Sequence, residues 1–271
     1  MQTEFSKLTD DQWFDKVIGK DGPALFGLPE DRIQISTTGR AGEPVLRDGF
    51  RFYQFARRML QEHGNGLSED TAVMDFGCAW GRILRFWPRD IQAKNLFGFE
   101  VQERLLDYAR QQVPAATYRV SQTRPPLPNN GQKFDLIYAF SVFSHLPEAL
   151  TNEWIEEFSK VLKPGGIACL TTRPRAHIEI AGTAASKGAH SSFYAGLITD
   201  KDEALASYDK GNFIFYPADG GGSLSAADYG EAIIPLAYAE ANWSQHLEVL
   251  GFFERYSETY LQPCFVLRKP R

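Results

Sequence analysis

Apolar and polar positions along this chain fall into two kinds of block. Short, nearly continuous apolar runs occur at Ala72–Asp75, Asn95–Glu100, Ala116–Val120, Lys133–Phe140 and Ile167–Thr171, several closed by an acid or a small residue. Such runs are the pattern of strands buried on both faces of a parallel sheet. Between them lie segments whose apolar residues recur at helical intervals. Leu105, Leu106 and Ala109 share one face of residues 101–113; Leu150, Trp154, Ile155, Phe158 and Val161 share one face of residues 148–161. The chain therefore reads as α/β, with a mostly parallel sheet and helices packed on it.

Ahead of the first strand, Thr9-Asp10-Asp11 before Gln12–Ile18 predicts a short capped helix, broken at Gly22-Pro23 and Leu28-Pro29. Residues 35–40 read as a polar loop with a glycine and a cation, Arg40. Residues 44–63 predict a helix through Leu46, Phe50, Tyr53, Met59 and Leu60, ending at His63-Gly64. After the first strand and its turn, Ile83–Trp87 predicts a short helix stopped by Pro88.

Beyond Thr172 the alternation is interrupted. Residues 174–235 are rich in Gly, Ala and Ser, with scattered aromatics that include Phe193, Tyr194, Tyr208, Phe213, Phe215, Tyr216 and Tyr229. Loops longer than about 12–15 residues are functional or disordered as a rule, and aromatics argue against disorder. This insert is expected to be a substrate-binding cap or an oligomer contact such as a homodimer, with Gly220-Gly221-Gly222 as a hinge or tip. A helix over 236–249 and a closing hairpin of 250–256 with 262–268 complete the pattern. The expected organisation is an N-terminal helical cover, 1–66, and a main domain, 67–271, carrying the cap at about 174–235.

Composition narrows the function. The 271 residues are 43% hydrophobic and 23% charged, with net charge −5. Nothing global draws such a chain to nucleic acid or to anionic membrane, and no interleaved basic and aromatic patch marks an RNA-binding face. Arg47, Arg51, Arg57 and Arg58 in the 44–63 helix read as a solvated face. No run of about 18 apolar residues predicts a membrane span, and the first residues have no signal-peptide pattern. Cys78, Cys169 and Cys264 are widely spaced without a metal-ligand pattern. They read as buried thiols of a cytoplasmic protein, with no metal site expected.

The candidate chemistry starts at the turn after the first strand, Asp75-Phe76-Gly77-Cys78-Ala79-Trp80-Gly81-Arg82. Gly77 and Gly81 permit a sharp bend and close approach of a ligand, and the N–H groups of a helix starting here would favour an anionic group. A dinucleotide fingerprint needs G-x-G-x-x-G. Here the second glycine position is Ala79 and the third is Arg82, which disfavours a pyrophosphate. Glu100, 23 residues after Gly77 at the tip of the second strand, stands where an acid accepts hydrogen bonds from both ribose hydroxyls. A carboxylate is a pure acceptor and suits a diol.

D-x-G-C-x-x-G-R at a strand end resembles motif I of the class I S-adenosylmethionine (SAM)-dependent methyltransferases. Three later features resemble the same family in order: the acid-tipped second strand, Phe134-Asp135 leading a strand into Ser144-His145-Leu146, and the Lys163-Pro164-Gly165-Gly166 turn before the fifth strand. The resemblance implies a Rossmann-like seven-stranded sheet with an antiparallel C-terminal strand. It implies that SAM is the cofactor and S-adenosylhomocysteine the product. Its implied cofactor-binding residues are Asp75, Gly77, Cys78, Ala79, Gly81, Arg82, Glu100, Val101 and Phe140, with Gln122 or Thr123 at the adenine because the usual Asp is replaced by Ser121-Gln122-Thr123. Under an N-terminal cover, Arg40 would pair with the methionine carboxylate; the residues alone leave it equally readable as a solvated loop arginine.

SAM chemistry requires chiefly that a nucleophile be aligned behind the methyl group, which is worth roughly 7–11 kcal/mol. A hydroxyl acceptor gains a further ~100- to 10,000-fold from a general base. His145, past the fourth strand, is the candidate base, and the alternative is a helix-capping or pocket-shaping histidine. Arg173, past the fifth strand, is a candidate to bind an anionic or polyhydroxylated acceptor or is a surface arginine. No Asn/Asp-Pro-Pro-Tyr follows the fourth strand, which disfavours base-N or glutamine-N methylation. The acid cluster of the magnesium-dependent catechol type is also missing. The motifs, with the ending Val266-Leu267-Arg268-Lys269-Pro270, most resemble bacterial methyltransferases of glycan or polysaccharide biosynthesis. They imply O-methylation of a small acceptor, a sugar or glycan. Methylation of a secondary metabolite and a non-catalytic SAM-binding role stay open as alternatives.

Overall fold

The computed structural model describes residues 5–186, 198–218, 224–254 and 262–271. Phe193, Tyr194, Gly220–Gly222 and Tyr256, expected in the insert and the closing hairpin, lie outside the described residues. Three helices precede the sheet: α1 (Asp10–Ile18), α2 (Asp31–Thr38) and α3 (Glu43–His63). The sheet strands are β1 (Val73–Phe76), β2 (Leu96–Glu100), β3 (Thr117–Val120), β4 (Phe134–Ala139) and β5 (Leu162–Thr171), with α4 (Glu103–Gln112) after β2 and α5 (Glu148–Val161) after β4. The insert forms α6 (Ala176–Ser186), α7 (Lys201–Asp209), β6 (Ile214–Pro217) and β7 (Gly230–Ile233). Helix α8 (Leu236–Trp243) and strands β8 (Glu248–Phe253) and β9 (Cys264–Arg268) follow.

Among the described residues the main sheet has seven strands in the order β3-β2-β1-β4-β5-β9-β8. The first five are parallel, β9 runs antiparallel to β5, and β8 pairs antiparallel with β9. The expected α/β sheet with its antiparallel C-terminal strand is thus present. The chain order reverses between β1 and β4, so a crevice opens beyond their carboxyl ends, where open α/β sheets bind ligands.

Alternation along the strands divides the core. Val73, Leu136, Tyr138, Ile167, Cys169 and Val266 face one side, against α1, α3 and the segment after β1. Met74, Ile137, Ala139, Ala168, Leu170 and Phe265 face the other, against α5 and α8. Phe52, Tyr53 and Leu60 of α3 are completely buried in the first cluster. Each such side chain is worth roughly 1.5–3 kcal/mol of burial, so α3 is anchored to the sheet. The insert has a small core of its own: Ile178, Ala181, Ile198, Ala204, Ile214 and Ile233.

The Phe134-Asp135 and Lys163–Gly166 motifs meet at the foot of the sheet. Buried Asp135 accepts from the Ala72 amide at 2.9 Å and from Lys163 Nζ at 2.6 Å. Gly165 turns at φ 76° between them.

Four local expectations are corrected. Residues 35–38 belong to α2, not to a loop. Their hydroxyls bond back into the helix, Thr37 Oγ1 to the Ile33 carbonyl at 3.1 Å and Thr38 Oγ1 to Gln34 at 2.8 Å, which removes their usual competition with helical bonds. After β1 the chain makes turns and a 3-10 helix, Leu84–Arg89, with Pro88 inside it rather than at its end. Proline, with no N–H, sits more easily in a short 3-10 segment than in an α-helix. The Lys163–Gly166 turn is a register shift within a longer β5. Helix α8 stops at Trp243, and Glu248–Val249 already pair with β9.

Candidate active site

At the carboxyl end of β1, Gly77 takes φ 74°, and its amide and that of Cys78 donate to the Phe99 carbonyl at 2.8 and 3.0 Å. A Cβ at Gly77 would lie 2.4 Å from Val142 Cγ2, so the glycine permits the loop after β4 to close on the loop after β1. Ala79 is also in the left-handed region, at φ 45°. That turn points its amide at Glu100 Oε2, 3.0 Å away, while the Gln102 amide holds Oε1 at 3.0 Å. Burial pushes the Glu100 carboxyl up, and these amides pull against it. Two donors leave acceptor capacity on a carboxylate with about four lone-pair sites.

These loops wall a cleft of about 1270 Å³, counting its open mouth. Asp75, Gly77, Cys78, Ala79, Arg82, Glu100, Val101, Gln122, Thr123, Phe140 and His145 line it. Gly81 does not. Its φ of 77° brings the turn against α4, where a Cβ would meet Ala109 at 3.4 Å. Arg82 lies over the Phe140 ring at 4.7 Å and donates to the Val45 carbonyl at 3.2 Å. Asp75 is buried beside Tyr138 and Arg82. Desolvation dominates there and pushes its carboxyl up to about 8.

Several wall residues escaped sequence reasoning. Ser36, Thr37 and Thr38 reach the cleft from α2, and Thr37 Oγ1 accepts from the buried Trp80 Nε1 at 3.0 Å. Leu105, Leu146, Leu150 and Trp154 add apolar wall, and the insert adds Leu224, Asp228 and Tyr229. The polar run 36–38 next to Arg40 was the available signal for α2; the insert residues carried none, because their approach depends on the tertiary path.

A second, more polar depression shares Ser36–Thr38, Arg82, Phe140, Ser141, His145 and Tyr229 with the first. Ile35, Gly39, Arg40, Val45, Asp48, Arg173 and Gln262 complete it. Arg40 is exposed and pairs with buried Asp48. Arg173 pairs with Glu231 of β7, Nε to Oε2 at 2.7 Å. Ser141, at φ 60°, is pinned by Thr171 Oγ1, which its amide meets at 2.7 Å, and by Gln262 Nε2 at 3.0 Å.

His145 stands on the wall common to both depressions. Its Nδ1 is 2.8 Å from the Gly230 carbonyl and 3.1 Å from Glu231 Oε1, and its ring stacks on Tyr229 at 4.7 Å between centroids. Arg40 and Arg173 line only the second depression; the remaining predicted residues apart from Gly81 line the first. Among the described residues no group of three or more His, Cys, Asp or Glu side chains is arranged to hold a metal ion. No described helix is long and apolar enough to cross a membrane.

Comparison with known proteins agrees with this geometry. Residues 73–166 match a family model described as a methyltransferase domain. A malonyl-[acyl-carrier protein] O-methyltransferase of Yersinia pestis is 29% identical over 142 residues, 49% of this chain and 50% of that protein, so the match spans about half the length of this curated relative. CalS10 of Micromonospora echinaspora, an amino pentose methyltransferase solved with SAM bound, superposes with a TM-score of 0.53 at 14% identity, over 90% of this chain and 98% of that one. A SAM-dependent methyltransferase of Clostridium acetobutylicum also gives 0.53, at 10% identity over 89% and 97%. With the strand order and the glycine turn facing an acid-tipped strand, these matches lead to one conclusion: residues 73–166 carry a methyltransferase domain, within a fold like that of SAM-dependent methyltransferases.

Proposed function

We propose that this protein transfers a methyl group from SAM to a hydroxyl of a small polyhydroxylated acceptor, with His145 as general base. The cleft fits the cofactor in its donor set. Glu100 offers a carboxylate to a ribose diol, next to the Gly77 turn on the same wall. Leu105, Leu150 and Trp154 offer an apolar slot to a purine, beside Gln122 and Thr123. Helix α2 covers the cleft, and Arg40 serves the amino-acid end if it exchanges Asp48 for the ligand carboxylate. When bound, SAM supplies an electrophilic methyl on a sulfonium; transfer breaks that carbon–sulfur bond and forms a carbon–oxygen bond.

The observation that carries the base assignment is the engagement of His145 Nδ1 by the Gly230 carbonyl at 2.8 Å. A carbonyl only accepts, so Nδ1 holds the proton and Nε2 keeps the lone pair that takes the acceptor's hydroxyl proton. The second depression then holds the acceptor. Its charges come in pairs, Arg40 with Asp48 and Arg173 with Glu231. Donors beside acceptors suit hydroxyl groups, which do both, better than a ligand of one net charge. The Tyr229 and Phe140 rings add apolar faces of the kind a sugar ring rests on. The similarity to the Yersinia O-methyltransferase supports oxygen as the atom methylated.

A radiolabelled methyl-transfer screen over sugars, lipid-linked glycans, phenols and secondary metabolites tests this reading. Label is expected in a sugar or glycan. His145→Ala is expected to slow that transfer ~100-fold or more while binding SAM normally. Unchanged turnover removes the base, and SAM binding without transfer to any acceptor favours a non-catalytic role.

A further inference from the structure

We infer that Glu231, on β7 of the insert, is the positioning residue for His145: it holds the Nδ1 side of the imidazole and meets the positive charge when Nε2 takes a proton. This rests on the reading of His145 as the base.

The insert reaches the end of β4 through its backbone. The Ala232 amide donates to the Ser144 carbonyl at 2.8 Å, and the Gly230 amide to the His145 carbonyl at 3.0 Å. Those bonds hold β7 beside the loop whatever side chain residue 231 carries. The Glu231 side chain does something separate. It is 2% exposed, and three cationic or titratable groups converge on it: His145 Nδ1 at 3.1 Å, Arg173 Nε at 2.7 Å and His177 Nε2 at 3.7 Å. They come from the loop after β4, the loop after β5 and the start of α6. A fully buried carboxylate is costly unless paired.

The charges around it leave one position unfilled. Burial pushes the Glu231 carboxyl up, and His145 and Arg173 outweigh that and hold it lowered. Burial, reinforced by Arg173, drives His177 down to about 4, so His177 is neutral near pH 7. Arg173 and Glu231 therefore cancel, and a proton arriving on His145 is the next charge in the cluster. Among the described residues, the Tyr229 ring stacks on His145, and Arg82 and the Arg40–Asp48 pair line the second depression with it. Glu231 is the carboxylate at hydrogen-bond distance from the ring. Opposite charge at that range favours the protonated imidazole, and Arg173 on the same carboxylate offsets part of that attraction.

The test reads the imidazole directly and needs no acceptor. Long-range proton–nitrogen NMR spectra of the histidine rings, recorded across pH on the intact chain, give the tautomer and the titration midpoint of His145. Assignment comes from loss of the signal in His145→Ala. The neutral ring is expected to carry its proton on Nδ1. Glu231→Gln is expected to lower the midpoint by about one pH unit or more, Glu231→Asp to restore part of it, and Arg173→Gln to raise it. A structural role alone would not lower the midpoint in Glu231→Gln, recover part of it in Glu231→Asp and raise it in Arg173→Gln. A neutral ring protonated on Nε2 in the wild-type chain overturns the inference even if Glu231→Gln does not fold. An unmoved midpoint in folded Glu231→Gln overturns it too, and leaves the base assignment to be judged separately by transfer in His145→Ala.

Discussion

The Ala79 amide donates to Glu100 Oε2 at 3.0 Å, across the turn that Ala79 makes at φ 45°. The strained turn and the strand-tip acid thus form one unit, which aims a buried carboxylate at the cleft. Glu100→Gln keeps the shape but replaces an acceptor by a donor facing either the Ala79 or the Gln102 amide. Charge-assisted hydrogen bonds of this kind are worth ~1.5–3 kcal/mol. Titration calorimetry with S-adenosylhomocysteine should therefore show affinity falling about 10- to 100-fold. Undiminished affinity would take Glu100 out of the site.

Gly77 packs against Val142 where the loops after β1 and β4 meet. Gly77→Ala adds a methyl 2.4 Å from Val142 Cγ2 at a φ of 74°. The left-handed backbone alone costs roughly 1–2 kcal/mol for a non-glycine residue, and the clash adds to it. A lower melting temperature and weaker SAM binding are expected, with Val142→Ala in the same chain restoring only the steric part. A double variant no better than the single one would contradict this division.

Trp80 Nε1 and Thr37 Oγ1, 3.0 Å apart, tie α2 down over the cleft. Thr37→Val leaves a buried indole N–H without its acceptor, a cost of about 1–3 kcal/mol. Amides of residues 31–38 should exchange with solvent faster and SAM should dissociate faster, while the sheet amides keep their protection. Uniform loss of protection would instead mean that the pair stabilises the whole fold.

Asp75 makes the ligand-free protein sensitive to alkali. Its carboxyl moves from an ordinary 3.8 to about 8 in the fold, with desolvation the largest cause. Between those values the folded state binds the extra proton, so stability contributed by this group is present below about pH 4 and is lost as pH rises toward 8. Thermal melts from pH 5 to 9 should fall along this slope. Asp75→Asn should flatten it and melt higher than wild type at pH 8–9. Parallel curves for the two proteins would contradict the shift.

Much of this architecture was readable from residue order because parallel strands buried on both faces must be continuous apolar runs, as at 72–75 and 133–140. Glu100 was readable for a related reason: a charged residue closing such a run has to stand at the strand's tip. Thr37 and Thr38 were misread because Ser and Thr usually mark loops, whereas here their hydroxyls are satisfied by carbonyls within α2. The 247–250 stretch suits a helix face or a strand equally, and its pairing with β9 decided it. Glu231 gave no local sign at all. It lies 86 positions from His145, and what joins them is the path of an insert whose strands, among the described residues, pair with each other and bond to the loop after β4.

The most direct measurement is a crystal structure of the chain with S-adenosylhomocysteine. The account predicts both ribose hydroxyls within hydrogen-bond distance of Glu100, the adenine between Leu105 and Trp154, and the sulfur facing the wall that carries His145. A nucleoside bound elsewhere, or a cleft left empty at saturating ligand, would contradict it.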